Sequence, residues 1–154
     1  MEGGGRCVRL AALSFYDWLL FLHVFSAFLL VGGMATFWAL VVATKPDGPL
    51  LTQEAAGTIA RPTNVLVIAG TVGTLIFGVW LAIDHDDYQV WDGWIIAALV
   101  GWALAGWLGD QSGKAFTQAM GGSLEHRRRG LLFHTGSSLV VLVVLVLMIF
   151  KPGA

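Results

Sequence analysis

A chain of 154 residues in which 56% are hydrophobic and only 12% are charged cannot cover a soluble domain with polar surface. Soluble domains carry about a quarter of their residues as Asp, Glu, Lys or Arg. The net charge of -1 gives no basic excess that would attract nucleic acid. A single cysteine, Cys7, excludes both an intrachain disulfide and a cysteine-based metal cluster. The composition therefore favours an integral membrane protein, because lipid solvates apolar side chains over the middle of such a chain.

Four apolar stretches are long enough to cross a hydrocarbon core of about 30 Å, which a helix of about 20 residues spans. The spans are predicted at about 16–42, 63–83, 91–108 and 131–150. The first is much longer than the apolar core of a signal peptide, about 7–15 residues, so we expect it to be retained. Pro62 is expected near the first turn of the second span. The predicted fold is all-α: a four-helix transmembrane bundle forming a single domain over 1–154.

The distribution of Lys and Arg near the span ends predicts the orientation of the chain. The first and third connections together hold six basic residues, whereas the termini and the second connection hold three. This bias predicts both termini on the outer side of the membrane and the cluster Arg127–Arg129 in the cytoplasm. Arg6 and Arg9 favour the opposite orientation of the first span.

Small residues recur every four positions on the two central spans. The residues are Gly70, Thr74 and Gly78 on the second span, and Gly101, Ala105 and Gly109 on the third. Helices in lipid associate by close backbone approach, which small residues allow. We therefore expect the second and third spans to pack against each other.

His23 lies about 10 Å into the first predicted span, counting 1.5 Å per helical residue. An ionisable residue within a span is costly and indicates function. Neutral imidazole can bind a metal or haem iron, or relay protons. The alternative is a histidine that only forms a hydrogen bond to a neighbouring helix for packing.

His134 is the second histidine within a predicted span, and it lies about 6 Å from the inner boundary. The first and fourth helices run antiparallel, so this position leaves roughly 14 Å between His134 and His23 along the membrane normal. The two axial nitrogens of one haem iron must be only about 4 Å apart, at metal–nitrogen distances near 2.0 Å. We therefore do not expect the two histidines to share an iron, and we interpret His134 as an interfacial residue near Arg127–Arg129.

The second connection is short and acidic, with Asp84, His85, Asp86 and Asp87 in consecutive positions. Carboxylates and imidazole together suit a divalent cation such as copper or zinc. His85 and Asp86 are accordingly candidate metal ligands that could complete a site with His23 from the outer side. The alternative is a solvated turn, since aspartate is also favoured in turns and at helix N-termini.

The sequence contains no P-loop, no GxGxxG following a strand and no GxSxG elbow. No carboxylate falls in the middle of a span, which disfavours an ion-coupled transporter. An enzyme acting alone is the least favoured function, since no acid–base pair or nucleophile–base set can be assembled from the sequence.

The string FLHVFSAFLLVGGM in the first span resembles the LHVLSA…VGG pattern of the domain-of-unknown-function family 2269. The resemblance extends over four spans, a Trp-rich third helix and the closing MIFKPG. It implies a bacterial inner-membrane protein of no assigned activity. A histidine early in a membrane helix, followed by small residues, is more distantly similar to the copper-resistance CopD-like proteins. That similarity implies a metal or haem ligand at His23.

Three functions remain open from the sequence. The first is binding of haem or copper through His23, completed from the outer loop. The second is a non-catalytic subunit or assembly factor of a larger membrane complex. The third is a small-solute transporter, which we expect to be a homo-oligomer because four helices enclose little volume. In all three cases the protein is surrounded by the lipid bilayer.

Overall fold

A computed structural model gives the fold of the chain, and the structure describes residues 14–44, 50–84, 92–119 and 123–150. The described residues form four α-helices and no strand: α1 (Phe15–Ala43), α2 (Gln53–Asp84), α3 (Gly93–Ala119) and α4 (Leu124–Phe150). All four are long and apolar enough to cross a membrane. The predicted all-α class with four spanning helices is confirmed, and the chain is a multi-pass membrane protein.

Local hydrogen bonds explain where α1 and α2 begin. Ser14 caps α1 through a capping box: its hydroxyl accepts from the Asp17 backbone N–H at 3.2 Å, and the Asp17 carboxylate accepts from the Ser14 N–H at 2.8 Å. Thr52 acts similarly before α2, since its hydroxyl accepts from the Ala55 N–H at 3.2 Å. These caps supply partners for backbone donors that the first helical turn leaves unpaired.

The helix α2 begins ten residues before the predicted second span, so the prediction that Pro62 lies near its first turn was wrong. Pro62 lies inside α2. The error arose because the apolar run begins only at about residue 63, whereas the helix continues through a more polar segment outside that run. Proline removes one backbone donor from the helix interior. The next side chain, Thr63, donates its hydroxyl to the Ile59 carbonyl at 2.8 Å.

The helices α3 and α4 also extend beyond their apolar stretches. The polar end of α3 carries an ion pair between Lys114 and Asp110, one turn apart. The first turn of α4 carries a similar pair between Arg129 and Glu125, with an N–O distance of 3.0 Å. Pairs at this spacing stabilise exposed helical surface modestly. Helix α4 therefore begins at Leu124, whereas the predicted span began at about 131.

The close helix–helix contacts join α1 to α2 and α3 to α4. A Cβ added to Gly70 of α2 would lie 2.8 Å from the Ser26 carbonyl oxygen and closer still to the Leu30 nitrogen, both on α1. A Cβ on Gly101 of α3 would lie 2.6 Å from a methyl group of Val144 on α4. The small residues of α2 thus face α1, and those of α3 face α4, so that α1–α2 and α3–α4 each form a helical hairpin. The expected packing of the second span on the third was therefore wrong.

A few specific bonds connect the α1–α2 hairpin to the α3–α4 hairpin. The indole N–H of Trp38 donates to the Ser138 hydroxyl at 3.1 Å. The indole N–H of Trp102 donates to the Thr71 carbonyl, also at 3.1 Å. The two hairpins thus contact each other through discrete polar bonds placed between apolar surfaces.

Arg127 adds a charged connection between the two hairpins at the end of the bundle where α4 begins. Its guanidinium donates to the Thr44 carbonyl at 2.6 Å and to the Val41 carbonyl at 2.9 Å. Both carbonyls belong to the C-terminal end of α1, where unpaired carbonyls and the helix dipole favour a cation. Arg127 therefore fixes the start of α4 to the end of α1.

Large apolar side chains cover the outer faces of all four helices. On α4, the side chains with at least half of their surface exposed include Leu139, Leu142, Val143, Val146 and Ile149. Such a continuous apolar surface is unfavourable in water and is the expected surface of a protein solvated by lipid. The later part of α4 accordingly has the surface of a lipid-facing helix.

Candidate functional site

His23 is held against α2 by a hydrogen bond of its imidazole to the backbone. Its Nδ1 lies 3.0 Å from the Thr74 carbonyl oxygen. A carbonyl oxygen only accepts hydrogen bonds, so Nδ1 carries the proton and donates. In the neutral ring, Nε2 then presents its lone pair, and it makes no hydrogen bond to the described part of the chain. Nε2 is therefore free to bind a metal or to accept a proton.

Gly78 makes room for this imidazole on the surface of α2. A Cβ at Gly78 would lie 2.9 Å from Cε1 and 3.1 Å from Nδ1 of His23. Real Cβ atoms do not approach ring atoms so closely, so a larger residue would displace the ring. The i, i+4 pair Thr74 and Gly78 thus forms the seat of His23: one residue supplies the carbonyl and the other supplies the space.

A cavity of about 500 Å³ lies beside His23. Its wall is mainly apolar and includes side chains from α1, α2, α3 and α4, and the residues with polar or polarizable groups are His23, Tyr16, Trp94 and Met148. The volume falls within the range of about 300–1,000 Å³ typical of small-molecule and cofactor sites. The cavity therefore combines an imidazole with an apolar wall and, on α4, the thioether of Met148.

The predicted ligands His85 and Asp86 lie outside the described residues, so their positions relative to His23 stay a prediction. Among the residues that the structure describes, no three His, Cys, Asp or Glu side chains come together as a metal site. The described side chains around the cavity that could bind a metal include the imidazole of His23, the thioether of Met148 and the phenol of Tyr16. The pair of imidazole and thioether suits a soft or haem-bound metal better than a hard divalent cation.

Sequence reasoning missed Met148, although a signal for it existed. The N-terminal end of α1 and the C-terminal end of α4 lie on the same side of the membrane in a four-span protein. Met148 is two residues from the end of α4 and lines the same cavity as His23. A search limited to histidine and carboxylate does not find such a residue, because methionine in an apolar run looks like ordinary lipid-facing sequence.

His134 lies inside the helical bundle. It is buried, with only 6% of its surface exposed, and its ring lies 5.0 Å from the indole of Trp38 and 6.2 Å from the ring of Phe37. The helix α4 begins seven residues before the predicted span, so ten helical residues precede His134. Its expected position near the inner boundary of the membrane stays a prediction.

The two histidines within the spans belong to separate places in the bundle. Phe37, which contacts His134, lies fourteen residues beyond His23 on α1, a distance of about 21 Å along the helix axis. This separation agrees with the expectation that His23 and His134 do not share one iron. His23 therefore needs a second ligand from elsewhere if it binds a six-coordinate metal.

A larger cavity of about 1410 Å³ separates the two hairpins. His134, Thr71 and Trp102 line its middle, and charged side chains line the end at which α4 begins. His23 does not line this cavity. The bundle thus contains a smaller cavity beside His23 and a larger one between the hairpins.

No family model, curated protein or solved structure matches the chain. The resemblances to the domain-of-unknown-function family 2269 and to the CopD-like proteins therefore stay predictions from the sequence. The class of multi-pass membrane protein rests on the four apolar helices, and the candidate site rests on the surroundings of His23.

Proposed function

We propose that the protein binds a haem or a copper ion through Nε2 of His23. The observation that carries this proposal is the orientation of the imidazole: Nδ1–H donates to the Thr74 carbonyl, Nε2 makes no hydrogen bond to a described residue, and the ring lines a cavity of about 500 Å³. Metal-bound histidines commonly donate their other N–H to a carbonyl or carboxylate, which fixes the tautomer and the ring orientation.

The residues around the cavity fit such a group. Imidazole together with thioether is a ligand pair for haem iron and for Cu(I). Met148 would supply the thioether, and the apolar wall would exclude water from the metal. A bound haem or copper ion supplies one-electron redox chemistry. The chain itself supplies the oriented imidazole and an environment of low polarity.

His85 and Asp86 are proposed as further ligands for the case in which the occupant is a copper ion. Their short connection joins α2 to α3, and α2 carries the seat of His23. With the termini on the outer side, as the distribution of basic residues predicts, this connection is also outside, and a metal would reach His23 from that side.

The proposal is tested by purifying the protein in mild detergent after expression with copper and a haem precursor both supplied. If haem is bound, we expect a Soret band in the absorbance spectrum. If copper is bound, we expect metal analysis to give about one copper per chain, because the chain has one proposed set of ligands. His23→Ala is expected to remove the signal. His126→Ala is the matched control, since the His126 ring is bonded to Ser123 at the other end of the bundle.

Met148→Leu separates the two ligands of the proposed site. This variant keeps the imidazole and a side chain of similar volume, so we expect weaker binding with Nε2 still attached and a changed absorbance spectrum. A wild-type protein that is colourless and free of metal under these conditions shows that the proposal is wrong. Equal loss of signal in His126→Ala and His23→Ala contradicts the assignment to His23.

Membership in a larger complex and transport of a small solute stay as predictions from the sequence. The described residues contain no observation that favours either one over cofactor binding. By contrast, the position of His23 beside a cavity, with Nε2 making no hydrogen bond to a described residue, favours a ligand at this histidine.

A further inference from the structure

The large cavity between the hairpins has a charged end and an apolar interior. It extends along α4 from Arg127 to Leu145, a length of about 27 Å. This length is close to the hydrocarbon thickness of a bilayer, about 30 Å. Met34, Phe37 and Trp102 are among the apolar side chains of its interior. The cavity therefore has the length and the lining of a site for an extended hydrocarbon chain.

The charged end contains two cations, Arg61 and Arg127, that form no ion pair with a described carboxylate. Lys114 is paired with Asp110, so these two charges cancel. Arg127 donates only to backbone carbonyls, and Arg61 forms no hydrogen bond or ion pair with a described residue. With Glu54 also at this end, the cavity carries a net positive charge of one. Basic pockets between membrane helices bind anionic lipid headgroups.

Two buried polar atoms of residues that line the cavity lack a hydrogen-bond partner in the described part of the chain. They are Oγ1 of Thr74 and Nε2 of His134, whose ring lies near the Met34 carbonyl. An unpaired buried polar atom is unfavourable. Nε2 of His134, about 10 Å along α4 from Arg127, is therefore available to a polar group of an occupant, whereas Thr74, about 20 Å along α2 from Arg61, is beyond the ester oxygens of a lipid whose phosphate lies at Arg61.

Gly106 on α3 widens this cavity without taking part in helix packing. A Cβ added there would meet no described atom within 4 Å, whereas Gly101 on the same helix contacts Val144. Glycine inside a helix is unfavourable relative to alanine, so its presence at 106 is not explained by the stability of α3. The missing side chain instead adds to the space between the hairpins.

The geometry points to an anionic phospholipid as the occupant of this cavity. Its phosphate lies at Arg61 and Arg127, and one acyl chain extends between the hairpins past Met34 and Trp102. The bilayer supplies this ligand in excess. This site adjoins the proposed cofactor site: His23 does not line the larger cavity, but Ala27, Val31 and Leu145 line both cavities.

The test is native mass spectrometry of delipidated protein in mild detergent, titrated with phosphatidylglycerol or with phosphatidylcholine of the same acyl chains. We expect about one tightly bound phosphatidylglycerol per chain, preferred over phosphatidylcholine by about fivefold or more, since each cation near a headgroup contributes about this factor. Arg61→Gln is expected to weaken phosphatidylglycerol binding about fivefold and to weaken phosphatidylcholine less, because the choline cation offsets the charge of its phosphate.

Gly106→Leu and Gly32→Leu form a matched pair for the acyl-chain part of the site. Both positions are helical glycines with open space for a Cβ, but only Gly106 lines the cavity. We expect Gly106→Leu to weaken both lipids and Gly32→Leu to bind as the wild type does, with thermal unfolding showing that both variants are folded. Equal binding of the two lipids by the wild type, or unchanged binding in Gly106→Leu, overturns the proposal. A dimer that only Gly106→Leu dissociates, with no lipid bound, also overturns it and indicates a second copy of the chain in the cavity.

Discussion

The position of the His23 ring depends on the absence of a Cβ at residue 78. Gly78 has only a hydrogen where other residues carry Cβ, and the imidazole occupies the space that this Cβ would need. The ring is therefore close enough to α2 for Nδ1 to reach the Thr74 carbonyl at 3.0 Å. Thr74 and Gly78 thus orient the histidine at the contact between α1 and α2.

Substitution of Gly78 by alanine should disturb His23 more than it disturbs the helix. Alanine favours the helix interior, but its Cβ would lie 2.9 Å from Cε1 of the ring. We expect the fraction of His23 in the Nδ1–H tautomer to fall. The ¹⁵N chemical shifts of the imidazole in the metal-free protein measure this fraction. Metal affinity should fall about 10–100-fold, as when other partners that orient a ligand are lost.

Gly32→Ala is the control for this experiment, because a Cβ at Gly32 meets no described atom within 4 Å. It makes the same chemical change on the helix that carries His23. Identical imidazole spectra for Gly78→Ala and the wild type would show that the Cβ contact does not hold the ring.

At the scale of the helices, the sequence predicted the number of spans but not their pairing. Apolar runs of about 20 residues specify a spanning helix, because the cost of exposing polar groups to hydrocarbon is large. A small-residue stripe specifies only which face of a helix is closely approached. Gly70 and Gly101 both lie on such faces. No pattern in the sequence, however, indicates whether α1 or α3 is the helix that packs against α2.

The ends of the helices and the candidate site were predictable to different degrees. Ser123 before α4 and the Glu125–Arg129 pair are local signals that could have extended this helix back from residue 131. His23 was identifiable from its cost within a span. Its contacts with Thr74 and Gly78 were not identifiable, because they depend on the register between two helices.

Gly70→Ala should destabilise the contact between α1 and α2. The added methyl group would press on backbone atoms of Ser26 and Leu30, which cannot move aside as a flexible side chain can. We expect a loss of about 1–3 kcal/mol in the free energy of unfolding, typical of overpacking at a closely packed site. Unfolding in mixed micelles of rising denaturing-detergent fraction measures the change.

Gly32→Ala again serves as the reference, since it carries the same gain in helix propensity without a contact. The two variants should therefore differ by the packing term alone. A Gly70→Ala protein as stable as Gly32→Ala would contradict the close approach of the two helix backbones.

At the scale of the whole molecule, the lengths of the helices determine where their charged residues lie relative to the membrane. Each helix is longer than the hydrocarbon core requires: α1 has 29 residues, or about 43 Å, against a core of about 30 Å. The ends of the helices consequently reach the headgroup region. Arg127 lies at such an end, where it connects α4 to α1 and lines the cavity between the hairpins.

The proposed orientation can be tested with the one cysteine of the chain. With the termini outside, a membrane-impermeant maleimide should label Cys7 in intact cells without lysis. Cys7→Ser with Leu50→Cys moves the thiol to the connection between α1 and α2, where we expect labelling only after lysis. Labelling in the reverse pattern would place the termini in the cytoplasm.

The division into hairpins also has a consequence for the order of biosynthesis. A chain that is inserted as it is translated completes α2 before α3 and α4 exist, so α1 and α2 can dock while the remainder is still being made. Thr74 and Gly78, which hold the imidazole of His23, both belong to that first half. Trp94 and Met148 arrive with the second half and close the smaller cavity. The nascent protein therefore passes through a stage in which the imidazole is already oriented and its surroundings are still open.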